Sequence, residues 1–281
     1  AGLLLAIFMV LIFVKVPNGK LQITMLDVGQ GDGIWLETDT GHHYLIDGGS
    51  TSEKKLAEYT LVPFLKQTGT AELDAVFLTH LDKDHTSGVL ELLEGDSGIK
   101  VHKIVIAKAV IRDEAYEELV TLCRSKHVAV MYAEAGDVLT DGKLRLEVLH
   151  PSADYVTDSK NAYSLVMKLE YGGFHALFTG DVEEDGEKLV ADSLPENWEC
   201  HLYKVAHHGS RNSNTLALLE QIQPKLAIIS CEEDNSYGHP HEETLERLSE
   251  VGSKVMVTKD CGAIIVEVDE RIKVKRWIEG E

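Results

Sequence analysis

Residues 79–85 read Thr-His-Leu-Asp-Lys-Asp-His, directly after an apolar stretch. His80, Asp82, Asp84 and His85 are four side chains able to ligate a metal, gathered within six residues. One such group at a strand end is usually a solvated loop residue. Four together call for another account. His-x-Asp followed by Asp-His lets a tight loop aim two sets of ligands at two adjacent points, which suits a pair of cations a few ångströms apart. The chemistry this indicates is metal-assisted hydrolysis.

A loop of that kind needs strands to hold it. After the breaker Val16-Pro17-Asn18-Gly19, apolar runs bounded by glycine turns predict strands over 22–28, 33–38 and 43–47. A helix is expected over 52–66, with Pro63 bending it, then a buried strand over 73–79 and a helix over 87–93. The alternation continues with a strand at 104–110, a helix at 112–125 and a strand at 128–132. Sheet returns at 143–149, 162–171 and 174–178, with Tyr171-Gly172-Gly173 as a hairpin turn. Helices over 183–191, 214–221 and 242–250 then alternate with strands at 202–206, 226–230 and 254–258, and strands at 263–268 and 271–277 close the chain. Two β-then-α halves meeting near residue 140 predict an α/β fold, a four-layer αββα sandwich forming one domain over 20–281.

The composition is that of a globular protein: 281 residues, 44% hydrophobic and 26% charged. It excludes intrinsic disorder, collagen-like repeats and a multi-span membrane protein. The formal charge is 27 − 47 = −20, which argues against holding nucleic acid by a broad basic surface. Four dispersed cysteines form no CxxC pair, so neither a zinc finger nor a disulfide scaffold is expected. Residues 1–14, AGLLLAIFMVLIFV, are unbroken apolar sequence ended by Lys15. At about 1.5 Å per residue they span roughly 21 Å, short of the roughly 30 Å bilayer core. Residues 1–16 are expected to be the tail of a transmembrane helix, the alternative being a buried core helix.

His80-Leu81-Asp82-Lys83-Asp84-His85 resembles the HxHxDH signature of the metallo-β-lactamase fold, with Asp82 where many members have histidine. Leu45-Ile46-Asp47-Gly48-Gly49, Phe178-Thr179-Gly180-Asp181 and Lys204-Val205-Ala206-His207-His208-Gly209-Ser210 are similar to further segments of that fold, in the same order. With Met25-Leu26-Asp27-Val28-Gly29-Gln30-Gly31-Asp32 and Tyr237-Gly238-His239-Pro240-His241, the chain from about residue 21 resembles one subgroup. That subgroup is the C-terminal domain of ComEC-type DNA-uptake channel proteins of competent bacteria. In it the domain follows a transmembrane segment.

The resemblance implies two divalent ions, manganese or zinc. His80, Asp82 and a shared Asp181 would hold one; Asp84, His85, Asp181 and His208 would hold the other. His208 is preferred over His207 because adjacent strand residues face opposite ways. The third histidine that full lactamases bring to the first ion is missing. Asn161 and Ser164 stand there and become candidates for substrate contact, and His150 is the nearest imidazole. Three ligand carboxylates against two divalent ions leave a net charge of about +1 for a hydroxide and an anionic substrate. Asp84, His207 and His241 are the catalytic candidates, with His241 as general acid or phosphate contact and His239 second to it, the alternative for His241 being a helix-start residue before Glu242-Glu243. Ser210 and Arg211 could hold a phosphate or simply form a turn before the next helix. Asp47 is expected to buttress the ligand loop. Asp27 and Asp32 are as consistent with structure as with substrate contact.

By resemblance the substrate is DNA, single-stranded, and the partners are the membrane channel part of the same protein and other competence uptake proteins. Lys83, Lys204 and Arg211 add a little positive charge near the motifs. The basic strand 271–276 reads more readily as a charged edge that resists aggregation. Two other functions stay open: hydrolysis of smaller phosphoesters of wall or lipid headgroup type, and a scaffold domain with weak or no catalysis. Lys15 and Lys20 lean toward the cytoplasmic side. A role in meeting incoming DNA leans toward the extracytoplasmic face of the cell membrane, which is the expectation adopted.

Overall fold

The predicted alternation produces two sheets in the computed structural model, which describes residues 19–157, 159–196 and 198–277. The expected hydrophobic leader, 1–16, lies outside the described residues. Among those residues no helix is long and apolar enough to cross a membrane.

The strands in chain order are β1 (Leu21–Met25), β2 (Ile34–Glu37), β3 (His43–Ile46), β4 (Glu72–Leu73), β5 (Ala75–Phe77), β6 (Lys100–Val101), β7 (Lys103–Ala107), β8 (Ala129–Ala133) and β9 (Val138–Asp141). They continue with β10 (Leu144–His150), β11 (Val166–Tyr171), β12 (Phe174–Phe178), β13 (Leu202–Lys204), β14 (Leu226–Ile229), β15 (Lys254–Val257), β16 (Ile264–Val268) and β17 (Ile272–Arg276). The helices are α1 (Val62–Gln67), α2 (Lys83–Glu94), α3 (Glu114–Ser125), α4 (Glu184–Ser193), α5 (Leu216–Ile222), α6 (Glu242–Glu250) and the short α7 (Thr258–Cys261). One large sheet runs β17-β16-β1-β2-β3-β5-β7-β8, the other β15-β14-β13-β12-β11-β10-β9, and β4 and β6 form a separate small parallel pair.

Alternation decides which residues turn inward. On β10, Leu144, Leu146 and Val148 are buried while the residues between them are half-buried. They meet Leu21, Ile23, Leu36, Leu169 and Phe178 in the layer between the sheets. Val89, Leu92 and Leu119 pack helices onto the back of the first sheet, and Val190, Leu218 and Leu248 do so on the second. The result is the expected αββα sandwich. β5 is apolar throughout and buried on both faces, as a central parallel strand requires, while β3 and β7 open with His43 and Lys103 before their buried apolar runs.

Several boundaries differ from expectation. The helix expected at 87–93 begins at Lys83, so Asp84 and His85 lie in its first turn, not in a loop ahead of it. The helix expected at 52–66 is a π-helical turn at Ala57–Leu61 leading into α1. The strand expected over 162–171 begins only at Val166, after a 3-10 turn at Asn161–Tyr163. The two halves do not separate cleanly near residue 140 either, because β16 and β17 return to the first sheet and β16 pairs antiparallel with β1.

For function, the direction of the parallel strands matters most. β3 pairs in parallel with β5 in one sheet, and β12, β13 and β14 pair in parallel with one another in the other. Their C-terminal ends deliver Asp47, Thr79-His80, Asp181, His207-His208 and Ser230 to one edge of the sandwich. Open α/β sheets commonly place ligands beyond these strand ends.

Candidate metal centre

Asp84, His85, Asp181 and His208 each present one ligand atom, and those atoms lie within 4.8 Å of one another. His85, Asp181 and His208 are buried and Asp84 is partly so. The backbone brings them together through close approaches that only glycine permits. A Cβ on Gly49 would lie 2.5 Å from the backbone of His85, and one on Gly31 would lie 2.2 Å from the Gly49 carbonyl oxygen. Ser230 Oγ donates to the Gly31 carbonyl at 2.6 Å, tying the second sheet to this glycine turn.

Each imidazole is fixed from behind. His85 Nδ1 donates to Asp47 Oδ2 at 2.9 Å, and Asp47 is itself held by the Thr79 amide and hydroxyl, both at 2.8 Å. His208 Nδ1 donates to the Ser230 carbonyl at 2.9 Å. This leaves the two Nε2 atoms facing the carboxylates: His85 Nε2 is 3.3 Å from Asp181 Oδ1, and His208 Nε2 is 3.5 Å from both Asp84 and Asp181. His85 Nε2, His208 Nε2, Asp181 Oδ1 and His80 Nε2 are buried without a hydrogen bond. Bare polar atoms converging in a buried place cost free energy unless something binds them. Two imidazoles and two carboxylates that converge in this way fit a divalent cation.

The charge states agree. Burial would lower the pKa of His208, but the Asp181 and Asp32 carboxylates push it up to about 10. Burial also opposes protonation of His85, and Asp181 and Asp47 outweigh it, holding His85 well above the ordinary imidazole range. Burial would raise Asp84 and Asp181; the neighbouring imidazoles hold both below the usual carboxylate range. The two carboxylates thus favour their ionised form, in which they can ligate a cation.

His80 and Asp82 stand beside this group and not within it. His80 Nε2 is 3.9 Å from Asp82 Oδ2, and the His80 ring lies 4.1 Å from the His85 ring, centroid to centroid. Burial, reinforced by the His85 charge, lowers His80 to about 3. Asp82 occupies the N-cap position of α2 without capping it through its side chain, which leaves its carboxylate unengaged there.

Other candidates fall in different places. His207 and His208 share a left-handed turn, at φ 50° and 52°, so a turn and not strand alternation sets their directions. His208 is buried, whereas His207 is partly exposed and faces Glu183 Oε2 at 3.4 Å. His241 is the N-cap residue of α6, and its Nδ1 accepts the Arg211 amide at 3.2 Å. Its pKa is lowered by burial and by Arg211. His239 is closer in, its ring stacked on that of His208 at 6.1 Å. Burial and the His208 charge bring it down to about 3.

The four candidate substrate contacts and two further residues take these places. Ser164 is fully buried; its hydroxyl accepts the Asp181 amide at 3.1 Å and lies 3.5 Å from His80 Nδ1, so it steadies the cluster. Ser210 is buried, and its hydroxyl accepts the Asn212 amide in the turn. Lys204, read as positive charge beside the motifs, is buried and pairs with Asp32 at 2.7 Å. Asp32 also lies 3.5 Å from His208 Nδ1 and 3.9 Å from His85 Nδ1, and with Asp47 and His85 it forms a second, fully buried group of possible ligands. Asn161 is half-buried and donates to Glu183. Arg211 is exposed and pairs with Glu243 at 2.8 Å. His150 is no ligand, since its Nε2 donates to the Ala162 carbonyl at 2.7 Å. Sequence reasoning missed Glu183 and Ser230, whose partners lie far away in the chain and leave no local signal.

The sequence model of the metallo-beta-lactamase superfamily matches residues 26–232. "ComE operon protein 3" of Bacillus subtilis is 34% identical over 284 residues, which covers 96% of this chain and 36% of that protein. "Recombination protein 2" of Haemophilus influenzae is 28% identical, covering 98% and 32%, and "Competence protein ComA" of Neisseria gonorrhoeae is 29% identical, covering 89% and 32%. The chain therefore spans about a third of the length of these relatives. Among solved structures, the metallo-beta-lactamase fold protein YhfI of Bacillus subtilis aligns with TM-score 0.55 at 16% identity, over 89% of this chain and all of that one. Igni18, a metallo hydrolase of Ignicoccus hospitalis, aligns with TM-score 0.53 at 17% identity, over 88% and 100%.

Proposed function

This chain belongs to the metallo-β-lactamase superfamily and has competence proteins among its homologues, and on that premise we propose that it hydrolyses phosphodiester bonds of single-stranded DNA during DNA uptake. The observation that carries the hydrolytic part is the convergence of four ligand atoms within 4.8 Å, three of them buried without a hydrogen bond. Asp84, His85, Asp181 and His208 would hold one ion, manganese or zinc. His80 and Asp82, with Asp181, would hold a second. Bound there, the ions supply water activation and charge neutralisation at the phosphate.

The protein's own groups do the rest. Asp47 and the Ser230 carbonyl fix the two imidazoles so that each offers Nε2 inward. His241 has a lowered pKa and accepts a proton contact at Nδ1, so as a neutral ring it carries its proton on Nε2. From there it can donate a hydrogen bond to a phosphate oxygen, the proton for the leaving oxygen coming from water, with the His239 ring packed edge-on against it at 5.0 Å. The domain would work at the extracytoplasmic face of the membrane, beside the channel part of a longer protein and in contact with other uptake proteins.

Cleavage of single-stranded DNA in Mn²⁺ and in Zn²⁺, beside Asp84→Ala and His85→Ala, tests this. Cleavage by the parent that both variants lose supports it. Bound metal without DNA cleavage would shift the activity to smaller phosphoesters. Neither metal nor cleavage would leave a scaffold.

A further inference from the structure

Outside the metal cluster, the segment between β14 and α6 carries aromatic rings in a row. His208, at the centre, stacks on His239 with centroids 6.1 Å apart and planes 27° apart. His239 stacks in turn on Tyr237 at 5.6 Å and 18°. Tyr237 is 55% exposed although one face of its ring rests on His239, so the opposite face is open to solvent. A large aromatic ring stacked on one face only and left more than half exposed, beside a buried polar centre, is an unusual place for a tyrosine.

The segment is also held in shape before anything binds. Asn235 Nδ2 donates to the carbonyls of Glu232 and His239 at 2.8 and 2.7 Å, and Asn235 Oδ1 accepts the His239 amide at 2.8 Å. Next to Tyr237 an open cleft is lined by Arg211, His241 and the first turns of α6, with Glu242, Glu243 and Glu246. Arg211 is already paired with Glu243. Three glutamates against one arginine give this cleft a net negative charge, which disfavours a phosphate lying among them. A neutral planar group faces no such penalty, and the glutamates can accept hydrogen bonds from exocyclic amines of a base.

We infer that Tyr237 is the platform of a nucleobase subsite, on which one base of a single strand stacks while the phosphate beside it lies at the metal cluster. The inference deepens the hydrolase reading and rests on it. The ring row His208–His239–Tyr237 sets the spacing, placing the subsite beside the bond to be cut and not over it. Stacking is indifferent to base identity, since every base has a flat π-face, so the subsite selects nucleic acid over simple phosphodiesters without selecting sequence.

The experiment uses oligonucleotides in which a single abasic site is moved across the cleavage position, with the whole chain as parent, Tyr237→Ala and Tyr237→Phe. The parent is expected to slow about tenfold when the abasic site falls at one fixed position relative to the cut. Tyr237→Ala should erase that position dependence and Tyr237→Phe should keep it. A parent insensitive to abasic sites, or a Tyr237→Ala variant with the parent's profile, overturns the subsite. If the parent cleaves no DNA, the hydrolase reading fails by itself and binding decides the subsite. In that case, quenching of a 2-aminopurine oligonucleotide in EDTA by the parent and by Tyr237→Phe, lost in Tyr237→Ala, supports it. Quenching that is equal in all three, or absent, overturns it.

Discussion

Asp47 shows how much one residue outside the cluster can govern. It sits at φ 56°, in the left-handed region that asparagine and aspartate tolerate best, and grips both Thr79 and His85. Asp47→Asn keeps the backbone and an acceptor oxygen but removes the charge that polarises the His85 ring. Affinity for Mn²⁺ or Zn²⁺ should fall by about ten-fold or more, measured by isothermal titration, with the fold unchanged by circular dichroism. An unchanged dissociation constant would show that His85 needs no such support. Much of this level could be read from the sequence. The 80–85 motif is local, and its spacing alone brings Asp84 and His85 together. Burial is not local. Lys204, Ser164 and Ser210 look like surface groups in sequence because nothing beside them announces the sheet and turns that close over them. The choice of His208 over His207 depends on a left-handed turn that strand alternation does not describe.

At the scale of elements, one carboxylate ties the two sheets together at their open side. Asp141, the last residue of β9, accepts hydrogen bonds from Thr38 at 2.8 Å, His42 at 2.9 Å and Tyr44 at 3.2 Å, and also from Thr40. Burial would raise its pKa, but these donors together lower it. A folded-state pKa below the unfolded value of about 3.9 means that the stabilisation is full above about pH 4 and fades as pH falls through the folded value. Asp141→Ala should cost about 1–3 kcal/mol at pH 7. The gap between variant and parent should narrow in urea melts below pH 4, and a gap constant with pH would refute the assignment. The elements themselves were largely legible, because periods of two and of 3.6 residues survive in the apolar pattern. What escaped were cross-sheet ties such as this one, about a hundred residues apart in sequence, and the π-helical turn ahead of α1, which has no periodicity of its own.

At the scale of the molecule, the cluster joins the two sheets: Asp84 and His85 follow β5, while Asp181 and His208 follow β12 and β13. An ion bound there stabilises the folded state only. At a free concentration of 100 times its dissociation constant it should add about 2.7 kcal/mol. For a domain of this size that raises the melting temperature by about 5–10 °C, reversed by chelation. A melting temperature indifferent to both Mn²⁺ and Zn²⁺ would count against an ion at the seam. The four-layer plan was readable from the order of strands and helices, but the return of β16 and β17 to the first sheet was not, because pairing partners are chosen by the closing of the sandwich and not by neighbouring residues.

That return has another consequence. β1 and β16 are zipped side by side from Leu21–Val268 to Met25–Ile264, and Lys20 and Lys275 both reach Glu267. β1 is therefore an inner strand with a ladder on each side, and a force that draws it out must shear both ladders at once instead of peeling an edge.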